Sequence, residues 1–339
     1  EKLKVPLTGK QKRQLAKKQT KNAEAYQHYL KGRFHWNKRV ESELKKAIKH
    51  FEQAIELDPA FALAYAGLAD SYGVLSAWSE CLPAEAFPMA KEMATKALEL
   101  DDSLAEAHTS LGYINVVYEW KWSEAEREYR RAIELNPSYA NAHHWYAYML
   151  MVQARFDEAR REIERALELD PLSLIINANV GFVQHFARQY DGAIEQFEKA
   201  VAMDARFPSA HYYLGMSYEQ KGLFEQSIAE FRQAVLLSSG TPGDMGALGH
   251  VFAACGKLDD ARNVLDELIQ LSKRRHVPSF NIGLIHLRLG EVDQAFEWFE
   301  RAYTERDFYL IYLKVDPRLD GIRTDPRFVE LYRRVGLPA

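Results

Sequence analysis

The sequence predicts an all-α protein, a right-handed superhelical solenoid of about eight helix-turn-helix repeats closed by a C-terminal capping helix. Three observations predict it: a triplet of one bulky side chain between two small ones recurs at a fixed interval, a second two-residue mark precedes each triplet, and proline or glycine stands at most boundaries. A fixed period of this length is typical of stacked helical units, each of which contacts its neighbours. One continuous array is therefore expected, rather than separate globular domains.

In six of the triplets a bulky apolar residue follows a small one by four positions, and a second small residue follows three positions later. Two weaker copies keep the spacing, with Ala94 in place of the bulky residue and Leu268 in place of the last small one. These offsets lie on one face of an α-helix, so each triplet predicts an amphipathic, closely packed helix. The first members are spaced by 43, 35 and then five times 34 residues. The copies are Ala47/Phe51/Ala54, Ala90/Ala94/Ala97, Ala125/Tyr129/Ala132, Ala159/Ile163/Ala166, Ala193/Phe197/Ala200, Ser227/Phe231/Ala234, Ala261/Leu265/Leu268 and Ala295/Phe299/Ala302.

A preceding helix is predicted in each unit by an apolar residue followed by a small one. The absence of a large side chain lets the neighbouring helix approach, which offsets the roughly 1 kcal/mol that glycine costs inside a helix. The marks are Leu68-Ala69, Leu111-Gly112, Tyr146-Ala147, Val180-Gly181, Leu214-Gly215, Leu248-Gly249 and Ile282-Gly283.

The turns carry their own signals. Three glycines, Gly222, Gly256 and Gly290, are expected to take positive φ where the first helix of a unit ends. Four aspartates are expected to cap the helix that follows, namely Asp157, Asp191, Asp259 and Asp293. Prolines separate the units, because proline cannot continue the preceding helix or because it opens the next one.

Three regions are predicted along the chain. Residues 1–24 carry eight basic and two acidic side chains and are expected to be a linker or helical arm from an upstream domain. Residues 25–309 are expected to hold eight repeats, and residues 310–339 a helical cap in which Asp316 and Asp325 precede prolines and Gly336 ends the last helix. The repeats are expected to begin near Ala25, Ala62, Ala105, Ala140, Leu174, Pro208, Pro242 and His276.

Two aromatic-rich stretches interrupt the regular pattern. The extra residues of the second repeat, 73–89, are expected to form a packing lid, with a partner-binding loop as the alternative. Trp120 and Trp122 are expected to act as a structural staple before the second helix of the third repeat.

The helix pairs resemble the tetratricopeptide repeat. Tyr65-x2-Leu68-Ala69-x2-Tyr72, and His211-x2-Leu214-Gly215-x2-Tyr218 with Phe231 and Ala234, fit its signature. Longer strings, such as EAYQHYLKGRFHWNKR from Glu24 and LKVDPRLDGIRTDPRFVELYRRVGLP from Leu313, resemble the C-terminal repeat regions of large bacterial signalling proteins. Those proteins begin with a winged-helix domain, a Ser/Thr kinase or a nucleotide cyclase. The resemblance implies a regulatory or scaffolding module without enzymatic activity of its own.

The resemblance also implies a site. The first helix of each unit lines the concave wall of the superhelix, and the wall across repeats four to six is rich in aromatic and amide side chains that suit an extended peptide. Several of these side chains could instead pack between neighbouring repeats. The predicted partner-binding residues are Asn141, His144, Tyr148, Met151, Phe182, His185, Tyr212 and Met216.

No sequence motif supports another class of function. The adjacent His143 and His144 point about 100° apart on a helix, and neither HExxH nor paired Cys-x2-Cys accompanies them, so no metal or cofactor is expected. Phosphate-binding glycine loops and membrane-length apolar runs are also missing from the sequence. No nucleic-acid partner is expected for this fragment.

The expected function is therefore protein or peptide binding in the cytoplasm, or in the periplasm if a membrane span lies upstream. Two alternatives stay open. The array could serve homodimerisation of a longer protein, or it could be a small-molecule sensor.

Overall fold

The computed structural model describes residues 20–78 and 81–338, and for residues 77 and 78 only the backbone. Within this portion all regular secondary structure is helical, with seventeen α-helices and no strand. The predicted arm of residues 1–24 lies mostly outside the described residues.

Sixteen of the helices form eight consecutive antiparallel pairs, and the predicted repeats correspond to these pairs. The pairs are α1 Ala23–Trp36 with α2 Glu41–Leu57, α3 Ala62–Trp78 with α4 Pro83–Leu100, α5 Ala105–Ile114 with α6 Trp122–Leu135, α7 Ala140–Val152 with α8 Phe156–Leu169, α9 Leu174–Phe186 with α10 Tyr190–Met203, α11 Pro208–Gln220 with α12 Phe224–Leu237, α13 Pro242–Ala254 with α14 Leu258–Leu271, and α15 Ser279–Arg288 with α16 Val292–Glu305.

The triplets lie on the buried faces of the second helices, as predicted. In α2, for example, Ala47, Phe51 and Ala54 have no exposed surface. The aromatic member contacts the small residue of the preceding helix so closely that a Cβ added to Gly181 would lie 2.7 Å from the Phe197 ring. Five repeats pack in this way, with an aromatic side chain of the second helix against a glycine of the first: Gly32 with Phe51, Gly112 with Tyr129, Gly181 with Phe197, Gly215 with Phe231 and Gly283 with Phe299.

The turn signals were partly right. Gly222, Gly256 and Gly290 have φ of 71°, 80° and 82°, as predicted. The aspartate caps were wrong, because Asp157 and its equivalents lie inside the first turn of each helix, after a cap residue whose side chain makes no capping hydrogen bond. Their carboxylates still stand at the positive end of the helix dipole, where a negative charge is favourable.

The extra residues of the second repeat lengthen its two helices instead of forming a large loop. α3 and α4 extend to 17 and 18 residues, whereas most helices of the later repeats have 13 or 14. Phe87 is buried in α4 and stacks on Tyr118 with ring centroids 5.0 Å apart. The lid prediction was therefore wrong in form, although Phe87 does pack against the neighbouring repeat.

The staple predicted at Trp120 and Trp122 joins distant parts of the array. The ring of Trp120 lies 5.3 Å from that of Tyr303 and 4.0 Å from the Arg306 guanidinium. The Trp122 indole donates a hydrogen bond of 3.3 Å to the carbonyl of Val335 in the last helix. The third repeat thus contacts the eighth repeat and the cap, so the superhelix closes on itself.

The C-terminal cap has two 3-10 segments, Phe308–Tyr312 and Pro317–Ile322, before α17 Pro326–Val335. Asp316 and Asp325 cap the helical turns that begin at Pro317 and Pro326, each by accepting a backbone hydrogen bond of 2.9 Å, and α17 ends at Gly336 with φ 69°. These predictions are confirmed. The first of the two 3-10 segments, Phe308–Tyr312, also packs against α7 and α9.

Candidate functional site

The concave wall predicted for repeats four to six is formed by α7, α9 and α11, but it is not open. Asn141 is half-buried, and the other seven predicted residues are buried. The segment Phe308–Tyr312 turns back after α16 and lies on this wall. The predicted residues therefore do lie on one wall, but in this structure the chain's own C-terminal segment covers that wall.

Aromatic rings make most of the contact between the segment and the wall. The Tyr312 ring stacks on Phe186 with centroids 5.1 Å apart and meets Phe182 edge-on at 6.0 Å. The hydroxyls of Tyr148 and Tyr312 share a hydrogen bond, and Phe308 lies parallel to Tyr148 at 6.4 Å. Ring pairs at these separations add to the stabilisation that apolar burial already provides.

A buried carboxylate holds the beginning of the segment. Asp307 accepts hydrogen bonds from the backbone N–H groups of Phe280 and Tyr309, at 2.9 and 3.0 Å, and so ties the segment to α15. Beyond the segment, Asp316 pairs with the Arg318 guanidinium at 2.7 Å, and both side chains are buried. This second contact joins two neighbouring residues of the cap.

The predicted histidines connect neighbouring repeats. His144 shares a hydrogen bond with the Asn179 amide, and His185 Nδ1 lies 2.9 Å from the Ser217 hydroxyl. Burial lowers the pKa of both imidazoles to about 3, so they are neutral at physiological pH. Their geometry suits structural links between α7, α9 and α11.

Three further histidines repeat one arrangement between the two helices of a unit. Nδ1 of His108, His143 and His211 lies 2.6 Å from a glutamate of the following helix, namely Glu128, Glu162 and Glu230. In the described part of the chain, no three His, Cys, Asp or Glu side chains come together as metal ligands would. Within the same part, no helix combines the length and apolar character of a membrane span.

A cavity of about 40 Å³ remains between the wall and the C-terminal segment. Its lining is mainly aromatic, with Tyr113, Trp145, Tyr213 and Tyr312 among its side chains, and the charged Arg39 enters it from the turn of the first repeat. The Arg39 guanidinium lies 3.5 Å from the Trp36 ring and 5.7 Å from the Trp145 ring. The first repeat therefore reaches the fourth across the axis of the superhelix.

An open apolar surface lies at the other end of the array, on α1. Tyr26, Leu30 and Phe34, here called the apolar strip, are 44%, 49% and 61% exposed. Their spacing of four residues places them along one side of the helix. An open cleft of about 660 Å³ continues from Phe34 toward Leu172, Arg206 and Leu237.

The same positions are covered in the interior repeats. The glycine that faces an aromatic ring of the second helix gives the register: Gly32 faces Phe51 as Gly181 faces Phe197 and Gly215 faces Phe231. In that register, the equivalents of the strip are buried. They are Ile175, Asn179 and Val183 in α9, and Ser209, Tyr213 and Ser217 in α11.

The strip was not predicted as a site, although its spacing is visible in the string from Glu24 to Arg39. What the sequence does not show is that no repeat of the described chain covers it. Arg39 carries no distinctive signal in the sequence, since the equivalent turn of later repeats holds Gly222 and Gly256 but also Ala154 and Arg188.

Comparison with known proteins agrees with this architecture. Family models described as tetratricopeptide repeat match residues 41–61, 120–173, 186–244 and 247–309. No curated protein matches the chain.

Solved structures share the fold at low sequence identity. The Cut9-Hcn1 hetero-tetramer of the APC/C matches 87% of this chain and 53% of its own at 17% identity, with a TM-score of 0.61. A human IFIT1 dimer with PPP-AAAA matches 78% and 69% at 17% identity and TM-score 0.58. Yeast Tom70 matches 93% and 68% at 15% identity and TM-score 0.51.

Proposed function

The chain belongs to the tetratricopeptide repeat family, and from that premise we propose that it is a non-catalytic scaffold that binds a protein partner. The fold supports a role in protein-protein interaction in general. The strings from Glu24 and Leu313 support a finer proposal, that the array is the regulatory part of a larger bacterial signalling or transcription-regulating protein. A cytoplasmic location is part of this proposal, with the periplasm as the alternative, and cell fractionation tests it.

The observation that carries the proposal is the apolar strip on α1. Contiguous exposed apolar surface is uncommon on soluble proteins outside interaction sites. In α9 and α11 the equivalent face is buried within the array. We propose that an amphipathic helix of the partner docks on α1 in the same way as one repeat stacks on the next.

The concave wall is the second place where a partner could bind. Seven of its eight predicted residues are buried, and the segment Phe308–Tyr312 lies over Tyr148 and Phe182, so a partner reaches these rings only after the segment leaves. Binding at the strip needs no such rearrangement. For this reason we place the strip first and keep the wall as the alternative surface.

Site-specific photo-crosslinking in the cell that makes the protein tests the proposal. A photoreactive residue replaces Phe34 in the strip, Asn141 at the wall, or the 51% exposed Leu258 as a matched control outside both surfaces. The proposal predicts one cross-linked heterologous protein from Phe34 and none from Leu258. Cross-linking from Asn141 alone would assign the site to the wall, and equal cross-linking from Leu258 would contradict a specific surface.

Homodimerisation is the competing function that the strip could also serve. Light scattering over a range of concentrations distinguishes the two. A monomer at all concentrations is the expected result, whereas a dimer that Leu30→Glu dissociates would replace the scaffold proposal with self-association.

A further inference from the structure

Arg39 is a buried cation without a counter-ion. The residue is 6% exposed, and within the described chain its Nε and Nη2 atoms have no hydrogen-bond partner. An unpaired charge away from water is costly, and natural proteins usually pair it or leave it solvated. A group of this kind that faces a cavity is a candidate for binding a ligand of opposite charge.

The carboxylates around the cavity are already engaged. Asp70 accepts hydrogen bonds from Arg33 at 2.8 Å and from the Ser110 hydroxyl at 2.6 Å. Asp244 accepts one from the Thr241 hydroxyl at 2.7 Å, and Asp316 pairs with Arg318. None of these three carboxylates is engaged by Arg39, so its guanidinium has no direct ionic partner among them.

The cavity offers further unpartnered polar atoms. The Tyr113 hydroxyl is buried and has no partner among the described residues. Asn179 Oδ1 is likewise unpartnered and can accept a hydrogen bond from water or from a ligand hydroxyl. Tyr113 and Trp145, with ring centroids 4.5 Å apart, supply apolar wall beside these groups.

From these observations we propose that the cavity binds a small monocarboxylate, with the Arg39 guanidinium and the Tyr113 hydroxyl as hydrogen-bond donors to its oxygens. A planar guanidinium matches a carboxylate through two parallel hydrogen bonds. One guanidinium without a direct ionic partner suits a monoanion, whereas a doubly charged phosphate would need a second cation, and Arg318 at this cavity is already paired with Asp316. A cavity of about 40 Å³ has room for a group of acetate size beside the aromatic wall.

Sodium acetate is the probe. The purified chain is titrated with acetate and, at equal ionic strength, with chloride, and both the thermal midpoint and the heat of binding are measured. Acetate is expected to raise the midpoint with concentration, because a ligand that binds only the folded state stabilises it. An effect of chloride equal to that of acetate would overturn the proposal.

Variants then locate the binding. Arg39→Met is expected to abolish the response to acetate, while the control Arg160→Met, at an exposed arginine paired only with Asp157 at 2.8 Å, keeps it. Tyr113→Phe keeps the ring and is expected to weaken acetate binding by about tenfold. If Arg39→Met does not fold, the Tyr113→Phe result decides. An unchanged affinity in either folded variant would contradict the site.

Discussion

At the residue scale, the packing of a repeat depends on one missing side chain. Gly181, Gly215 and Gly283 lie against aromatic rings of their second helices so closely that an added Cβ would lie within 3 Å of a ring atom. Real Cβ atoms do not approach that closely, so the ring or the helix must move. The sequence predicted these positions because an apolar-small pair repeats with the same spacing.

Gly181→Ala is therefore expected to destabilise the protein by about 1–3 kcal/mol, through overpacking against Phe197. Urea denaturation followed by circular dichroism measures the change. Gly321→Ala is the matched control, because nothing lies within 4 Å of its added Cβ, and it is expected to leave the midpoint unchanged. A loss of stability no larger for Gly181→Ala than for this control would contradict the packing described here.

The ion pair between His211 and Glu230 predicts a dependence on pH. The hydrogen bond to Glu230 raises the pKa of the His211 imidazole above its ordinary value, despite partial burial. Since the folded pKa exceeds the unfolded one, the pair stabilises the fold fully below about pH 6.5 and loses this contribution as pH rises through the folded pKa.

Glu230→Gln is accordingly expected to lower the urea midpoint more at pH 5.5 than at pH 8.5. The exposed Glu195→Gln serves as control and should show little effect at either pH. NMR titration of His211 gives the direct reading: its pKa should fall toward the ordinary value in Glu230→Gln. A larger loss at pH 8.5 would reverse the sign and refute the assignment.

At the element scale, the helices could be predicted and the path of the C-terminal segment could not. The 34-residue period and the prolines at boundaries are local signals, and they marked the beginning of α7, α9 and α11. Nothing local shows that Tyr312 packs on Tyr148 and Phe186, because these contacts join residues far apart in sequence. Aromatic residues on a predicted wall indicate that something packs against the wall, but they do not indicate which part of the chain, or which partner, does so.

Tyr312→Ala tests the role of the segment Phe308–Tyr312. Removing this buried ring leaves a cavity among Tyr148, Phe182 and Phe186, and a loss of about 3–5 kcal/mol is expected. Thermal or urea unfolding measures the loss, and binding of a hydrophobic dye reports exposure of the wall. Tyr65→Ala, at a partly exposed tyrosine, is the control. A dye signal and stability equal to those of the control would show that the segment does not cover the wall.

At the scale of the whole molecule, the array is a closed superhelix with an exposed apolar face on its first described helix, α1. Trp120 and Trp122 join the third repeat to the eighth repeat and the cap, and the C-terminal segment fills the axis. The face of α1 that carries Tyr26, Leu30 and Phe34 has no such cover in the described chain. Closure could not be predicted from the repeat pattern, because curvature depends on small rotations between neighbours that the period does not encode.

The central claim is that a partner binds the apolar strip while the C-terminal segment stays on the concave wall. Hydrogen exchange tests it, measured on the chain alone and on the chain with the partner protein that cross-linking identifies. Slower exchange in α1, Ala23–Trp36, with unchanged exchange in Phe308–Tyr312 is the expected result. Faster exchange in Phe308–Tyr312, together with slower exchange in α7, α9 and α11, would contradict it and would show that the partner replaces the C-terminal segment on the wall.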